Sequence, residues 1–124
     1  MIKTLHTENA PAAIGPYSQA KIVNGILYAS GQIAINPAKG DVEATTIEGQ
    51  TEQVCKNIGA ILEAAGSSFD KVIKTTCFLK NMSDFATFNG IYGTYFTSKP
   101  VRSCVAAAAL PKDVLVEVEI IAEV

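Results

Sequence analysis

Three ionisable side chains near the end of the chain could act on a small acid. Arg102 stands in PVRSCVAAAAL (100–110), and Glu117 and Glu119 stand in VLVEVEIIA (114–122). Arginine is almost never fully buried without a partner. Arg102 is therefore either a stem reaching out from an edge or a cation kept for something planar and anionic. Its fork can make two parallel charge-assisted hydrogen bonds to a carboxylate. A glutamate in a partly dry pocket can hold or deprotonate a water. Arg plus Glu, with no histidine pair or metal-ligand cluster beside them, suits hydrolysis of a bond that is already electrophilic. Amide or phosphate chemistry needs stronger activation. Cys104 reads as a small core residue rather than a nucleophile, and His6, alone near the N-terminus, as a surface residue. Taken singly, each of these has a plain structural reading, because a strand-start arginine commonly snorkels and two glutamates spaced by two commonly mark a solvated strand face.

The elements that must position these groups follow from local patterns. Asn24-Gly25 separates two apolar runs in KIVNGILYASGQIAI (21–35), which predicts a type I′ hairpin. NPAKGD (36–41) reads as a loop. Thr45 with Glu48 forms a capping box for a helix that buries Val54, Ile58, Ile61, Leu62 and Ala65 and stops at Gly66. KVIKTTCFLK (71–80) reads as a strand. Ser83 caps a second helix carrying Phe85, Phe88, Tyr92 and Phe96 on one face. Gly90 and Gly93 weaken that helix by about 1 kcal/mol each and are expected to permit close packing. The last two strands, 101–109 and 114–122, are joined by LPKD.

This order predicts an α+β fold, one mixed sheet with two helices on one face, in a single domain spanning 1–124. The other sheet face is apolar yet carries Arg102, Glu117 and Glu119, which is the composition of a subunit interface holding a polar pocket. If the last two strands form a simple hairpin, Arg102 lies opposite Ile121 and Ala106 opposite Glu117. The two charges are then about 13 Å apart along the ladder, too far for an ion pair within one chain. They serve separate ends of one pocket, or they meet across a subunit interface.

Composition narrows the function classes. The chain has 124 residues, 48% of them hydrophobic, with a net charge of −2, a pI near 5.3 and a mean hydropathy of +0.24. Basic residues are scattered, so the electrostatic footprint of a nucleic-acid binder is missing. The three cysteines, Cys55, Cys77 and Cys104, have no metal-ligand spacing and read as reduced thiols. No signal peptide or membrane-length apolar run is visible. A cytoplasmic globular protein is expected.

Several stretches together resemble the RidA imine-deaminase family: GPYSQA (15–20), SGQIAINP (30–37), DFATFN (84–89) and PVRSCV…LPKDVLVEVEIIA (100–122). The resemblance runs from Asn9 to Ala122, with the motifs in order. It implies a chorismate-mutase-like fold and a homotrimer with pockets between subunits. It implies hydrolysis of 2-iminopropanoate and 2-iminobutanoate to 2-oxo acids and ammonia, without a cofactor or metal. By the same resemblance Arg102 grips the substrate carboxylate, Glu117 positions the attacking water and Tyr17 hydrogen-bonds substrate or water. Ser30 and Gly31 lie beside the imine, Asn89 and Cys104 line the pocket, and Glu119 is a bystander. Ala106 to Ala109 depart from the family pattern, where larger or polar residues are common. The partners implied are small 2-imino and 2-oxo acids and further copies of the chain, with neither nucleic acid nor membrane.

Two other readings remain. One is a non-catalytic binder of 2-oxo acids, against which Glu117 argues, since a carboxylate binder gains nothing from a second carboxylate nearby. The other is a ribonuclease or chaperone-like protein of the same fold, against which the acidic pI argues.

Overall fold

Asn24 and Gly25 both take positive φ (51° and 76°), as a type I′ turn requires, and they join β2 (Ala20–Val23) to β3 (Ile26–Ala29). The hairpin is shorter than its sequence pattern. β3 ends at Ala29, and beyond it only Gln32 makes a bridge, to Val118. The computed structural model describes all residues, 1–124. β1 (Lys3–Leu5) adds to the hairpin edge, pairing with β2. The 36–41 loop sits between two-residue strands, β4 (Ile35–Asn36) and β5 (Asp41–Val42).

Helix α1 (Ile47–Ala64) is capped by Thr46, whose hydroxyl accepts from the Gly49 backbone N–H at 3.1 Å. The cap is thus one residue later than the Thr45–Glu48 box. Val54, Ile58, Ile61 and Leu62 are buried as the periodicity required, and Gly66 ends the helix with φ 73°. Strand β6 (Val72–Leu79) follows. Ser83 caps nothing: it lies inside a short 3₁₀ turn, Met82–Asp84, that leads into α2 (Phe85–Tyr95). Gly90 and Gly93 also differ from expectation. Nothing lies within 4 Å of where their Cβ atoms would be, so within the chain they permit no close packing.

The largest difference is in the last two strands. β7 (Val101–Ala106) and β8 (Val116–Glu123) are not neighbours; the sheet order is β1-β2-β3-β8-β6-β7. β7 runs parallel to β6, with α2 as the crossover, and pairs Arg102 with Thr75 and Cys104 with Cys77. β8 inserts between β3 and β6, antiparallel to both. Burial explains the arrangement. Val116, Val118, Ile120 and Ala122 are all almost fully buried, as a central strand requires, whereas Val101 and Val105 are exposed and suit an edge. Pro111 to Asp113 form a turn with Lys112 and Asp113 at positive φ (55° and 54°), which lets the chain pass β6 instead of folding back beside β7.

The architecture is a mixed α+β fold, one main sheet and two helices, with a core of 21 buried residues between them. Tyr92 of α2 ties helix to sheet through its hydroxyl, 2.7 Å from the Thr75 hydroxyl in a buried contact. The other face of the main sheet is uncovered and carries exposed Tyr28, Val101 and Val105. No helix is long and apolar enough to cross a membrane. The Tyr92→Phe variant leaves a fully buried Thr75 hydroxyl without its tyrosine partner. It should lower the unfolding free energy by about 1–3 kcal/mol in urea titration, with the stacking of the ring at 92 on Phe96 kept.

Candidate functional site

Strand β8 sends alternate side chains to opposite faces. Val116, Val118 and Ile120 go into the core, and Glu117 and Glu119 go to the uncovered face. Beside Glu117 the Gln32–Val118 bridge, with backbone bonds of 2.8 and 3.1 Å, brings the chain against β8. Gly31 is therefore pressed onto the glutamate. A Cβ at position 31 would stand 2.1 Å from Glu117 Oε2, so only glycine accommodates this carboxylate position.

Glu117 looks into a cleft of about 410 Å³, with Tyr17, Gln19, Ser30, Gly31 and Pro111 on its walls. Tyr17 is about half exposed. The Ser30 hydroxyl donates to the Ser18 carbonyl at 2.6 Å, which leaves its oxygen free to accept. Burial first, and the nearby charge of Glu119 second, push the Glu117 carboxyl above the ordinary carboxylate range. Such a group is a better proton acceptor than a solvated glutamate.

Two buried amides hold the cleft walls. Gln19 donates to the carbonyls of Thr7 (3.0 Å) and Pro11 (2.9 Å) and accepts from the Thr7 N–H (2.7 Å), which fixes the N-terminal segment. Asn57 of α1 donates to the carbonyls of Ile33 (3.1 Å) and Ile35 (2.9 Å). Neither was singled out from sequence. Asn57 carried a signal: it is an amide on the apolar face of a helix, beside Val54, Ile58 and Ile61, and a buried amide needs partners.

Arg102 lies elsewhere. Its side chain is on the helix-covered face of edge strand β7, where Nη1 donates to Asn89 Oδ1 at 2.7 Å. The guanidinium sits 4.8 Å from the Tyr92 ring centre and 5.4 Å from that of Phe85, in cation–π range. It belongs to no ion pair; the three in the chain are His6–Glu8, Lys39–Glu43 and Lys80–Asp113. Asn89 takes one donor of five, so most of the fork remains available. Cys104, two residues on, is partly exposed on the same face.

The structure thus brings Asn89 and Cys104 to Arg102, and Tyr17, Ser30 and Gly31 to Glu117. It does not bring the two groups together in one chain. Arg102 pairs with Thr75 and Glu117 with Phe78, and their side chains leave opposite faces of the sheet. The hairpin register that set Ala106 against Glu117 is overturned, and with it the single-chain pocket with a charge at each end. Glu119, two residues from Glu117 on the same face, lies in a separate hollow with Tyr28, Lys74 and Thr76.

Residues 7–124 match the family model described as endoribonuclease L-PSP. A Lactococcus lactis protein named as a candidate regulator, AldR, is 61% identical over 124 residues, covering 99% of this chain and 98% of its own. An Escherichia coli protein named 2-iminobutanoate/2-iminopropanoate deaminase is 48% identical over 126 residues, covering 98% of each. A crystal structure of YyfA from Yersinia pestis, described as a conserved Rid-family protein of unknown function, superposes with a TM-score of 0.97 at 53% identity over the full length of both chains. The sheet with its inserted β8, the glycine under Glu117 and these matches together place the chain in the endoribonuclease L-PSP, or RidA, family.

Proposed function

We propose that the protein hydrolyses 2-imino acids of three or four carbons to 2-oxo acids and ammonia, in a site completed between copies of the chain. The observation that carries this reading is a pair of unmatched charges. Arg102 is held in place by Asn89, Tyr92 and Phe85 yet faces no carboxylate of its own chain, and Glu117 faces no cation. Each is half of a site. The uncovered sheet face, with exposed Val101, Val105 and Tyr28, is the surface on which a second copy would pack. Assembly into a trimer, as the resemblance implies, sets the Arg102 edge of one copy against the Glu117 cleft of the next.

In such a site the free N–H groups of Arg102 bind the substrate carboxylate bidentately. Glu117 holds a water and accepts its proton as the oxygen attacks the protonated imine carbon. The resulting carbinolamine receives that proton on nitrogen; as the C–N bond breaks, Glu117 takes the hydroxyl proton, the C=O bond forms and ammonia leaves. Tyr17 and the Ser30 oxygen are placed to steady the water or the nitrogen. Orientation supplies much of the barrier reduction, because the iminium carbon is already electrophilic. No thiol takes part, so Cys104 acts only as wall. The name of the E. coli relative supports this reading. The name of the L. lactis relative supports a second one, a sensor that binds the 2-oxo acid without turning over. Glu117 separates them, because a bare carboxylate beside the ligand is useful only to the hydrolase.

The deciding experiment couples a pyridoxal-phosphate serine/threonine dehydratase to 2-oxo acid detection at alkaline pH, where the imine persists. Adding the protein should accelerate 2-oxo acid appearance; an unchanged rate, with 2-oxobutanoate still bound, would leave the sensor. Replacing Arg102 with Ala removes two charge-assisted hydrogen bonds and should lower kcat/KM by about a hundredfold or more. Near-normal turnover in that variant would refute the carboxylate grip. Because the Glu117 carboxyl is raised, activity should fall on the acid side at a pH above 4.5. Glu119→Gln removes the second cause of the rise, so the acidic limb of the pH–kcat/KM profile should move to lower pH with the alkaline rate kept. Glu117→Gln should abolish turnover. It should also raise the Tm at pH 7, since folding disfavours the ionised carboxylate and that destabilisation is present above the folded pKa and absent in acid. A lower Tm at pH 7 than at pH 4, relative to the parent, would contradict the sign.

A further inference from the structure

Two of the three cysteines have no role in the chemistry above, yet strand register puts one of them against a cleft thiol. Cys77 on β6 and Cys104 on β7 are direct partners in the parallel ladder. Neighbouring strands run about 4.8 Å apart, within the range of Cα separations that a disulfide spans. Side chains of ladder partners leave the same face, so the two Cβ vectors do not diverge. The Cys77 thiol reaches the Thr75 hydroxyl at 3.8 Å. The two sulfurs differ in access. Cys77 is fully buried, while Cys104 is partly exposed beside Arg102. Cys55, the third, is 1% exposed inside α1.

We propose that Cys104 is an oxidation site and that Cys77 is its resolving cysteine, so that hydrogen peroxide converts the pair into a reversible intrachain disulfide. The Cys104 sulfur attacks a peroxide oxygen, the O–O bond breaks, and a sulfenic acid and one water result. The Cys77 sulfur then attacks the sulfenic sulfur, the S–OH bond breaks, and hydroxide leaves with the Cys77 proton as a second water. Two thiols lose two electrons in all, and the hydrogen peroxide gains them. The arrangement protects Cys104 from irreversible oxidation. Without a neighbouring thiol, a sulfenic acid proceeds to sulfinic acid, which ordinary thiols do not reverse. Burial holds both thiols above their ordinary range, with Arg102 opposing it. The pair therefore responds to an excess of oxidant and stays reduced otherwise.

The inference is independent of imine hydrolysis, because its readout is covalent. The full-length protein is incubated with excess hydrogen peroxide, alkylated, digested without reductant and weighed. The expected product is a single linked peptide pair, Cys77 to Cys104, two hydrogens lighter than the free peptides. Cys55 should remain alkylatable, and dithiothreitol should restore both thiols. In the Cys77→Val variant, Cys104 should instead gain two oxygens, and dithiothreitol should not remove them. The proposal is overturned if Cys104 of the parent protein reaches the sulfinic state while Cys77 stays alkylatable, if the link found is Cys55–Cys77, or if Cys104 links only between chains. A protein with no deaminase activity that still forms the Cys77–Cys104 link would sink the hydrolase reading and leave this one standing.

Discussion

The insertion of β8 between β3 and β6 is the constraint on which the rest of the structure depends. It places Val116, Val118, Ile120 and Ala122 in the core. Because strand side chains alternate, it commits Glu117 and Glu119 to the uncovered face. It also pushes β7 to the sheet edge, where parallel pairing with β6 turns Arg102 toward α2. One topological fact therefore separates the arginine from the glutamate. A mechanism that needs both requires a second copy, and the apolar uncovered face offers it a place to pack.

Each half of the candidate site is pre-organised by a different physical means. Around Arg102 the restraint is aromatic and hydrogen-bonded: two rings flank the guanidinium, and one of them is tied to the sheet through Thr75. Around Glu117 the restraint is steric. The missing Cβ of Gly31 leaves the space that the carboxylate occupies, and the Gln32–Val118 bridge keeps that glycine in place. The buried amides Gln19 and Asn57 then hold the cleft walls through the backbone carbonyls of Thr7, Pro11, Ile33 and Ile35. Burial of Glu117 is unfavourable for a carboxylate and useful for a base, a usual trade at sites where protons move.

Much of this was readable in particular residues. Asn24-Gly25 declared its hairpin because few residue pairs tolerate two positive φ angles. The spacing of Val54, Ile58, Ile61 and Leu62 declared α1 because one helical face had to be buried. The alternation in VLVEVEIIA declared a strand with a core face and a charged face. Less was readable at the ends of elements. Thr45 and Thr46 are equally good caps in composition, and Ser83 competes with a 3₁₀ turn whose bonds are purely backbone. Asn57 was visible as an anomaly on an apolar helix face, but not as the anchor of a loop 22 residues away in sequence.

Local sequence was enough to say which side chains share a strand face, where the chain turns tightly, and that an arginine and a glutamate stood in apolar company with no partner nearby. These are matters of local period and backbone sterics. Which strands are neighbours emerged from the packing of the whole chain. LPKD reads as a hairpin turn, yet the competition between β7 and β8 for the buried central position was settled by burial: four apolar side chains of β8 fill the core, whereas Val101 and Val105 of β7 stay exposed. Long-range pairing depends on which strand buries more against the helices, and no short window of sequence carries that comparison.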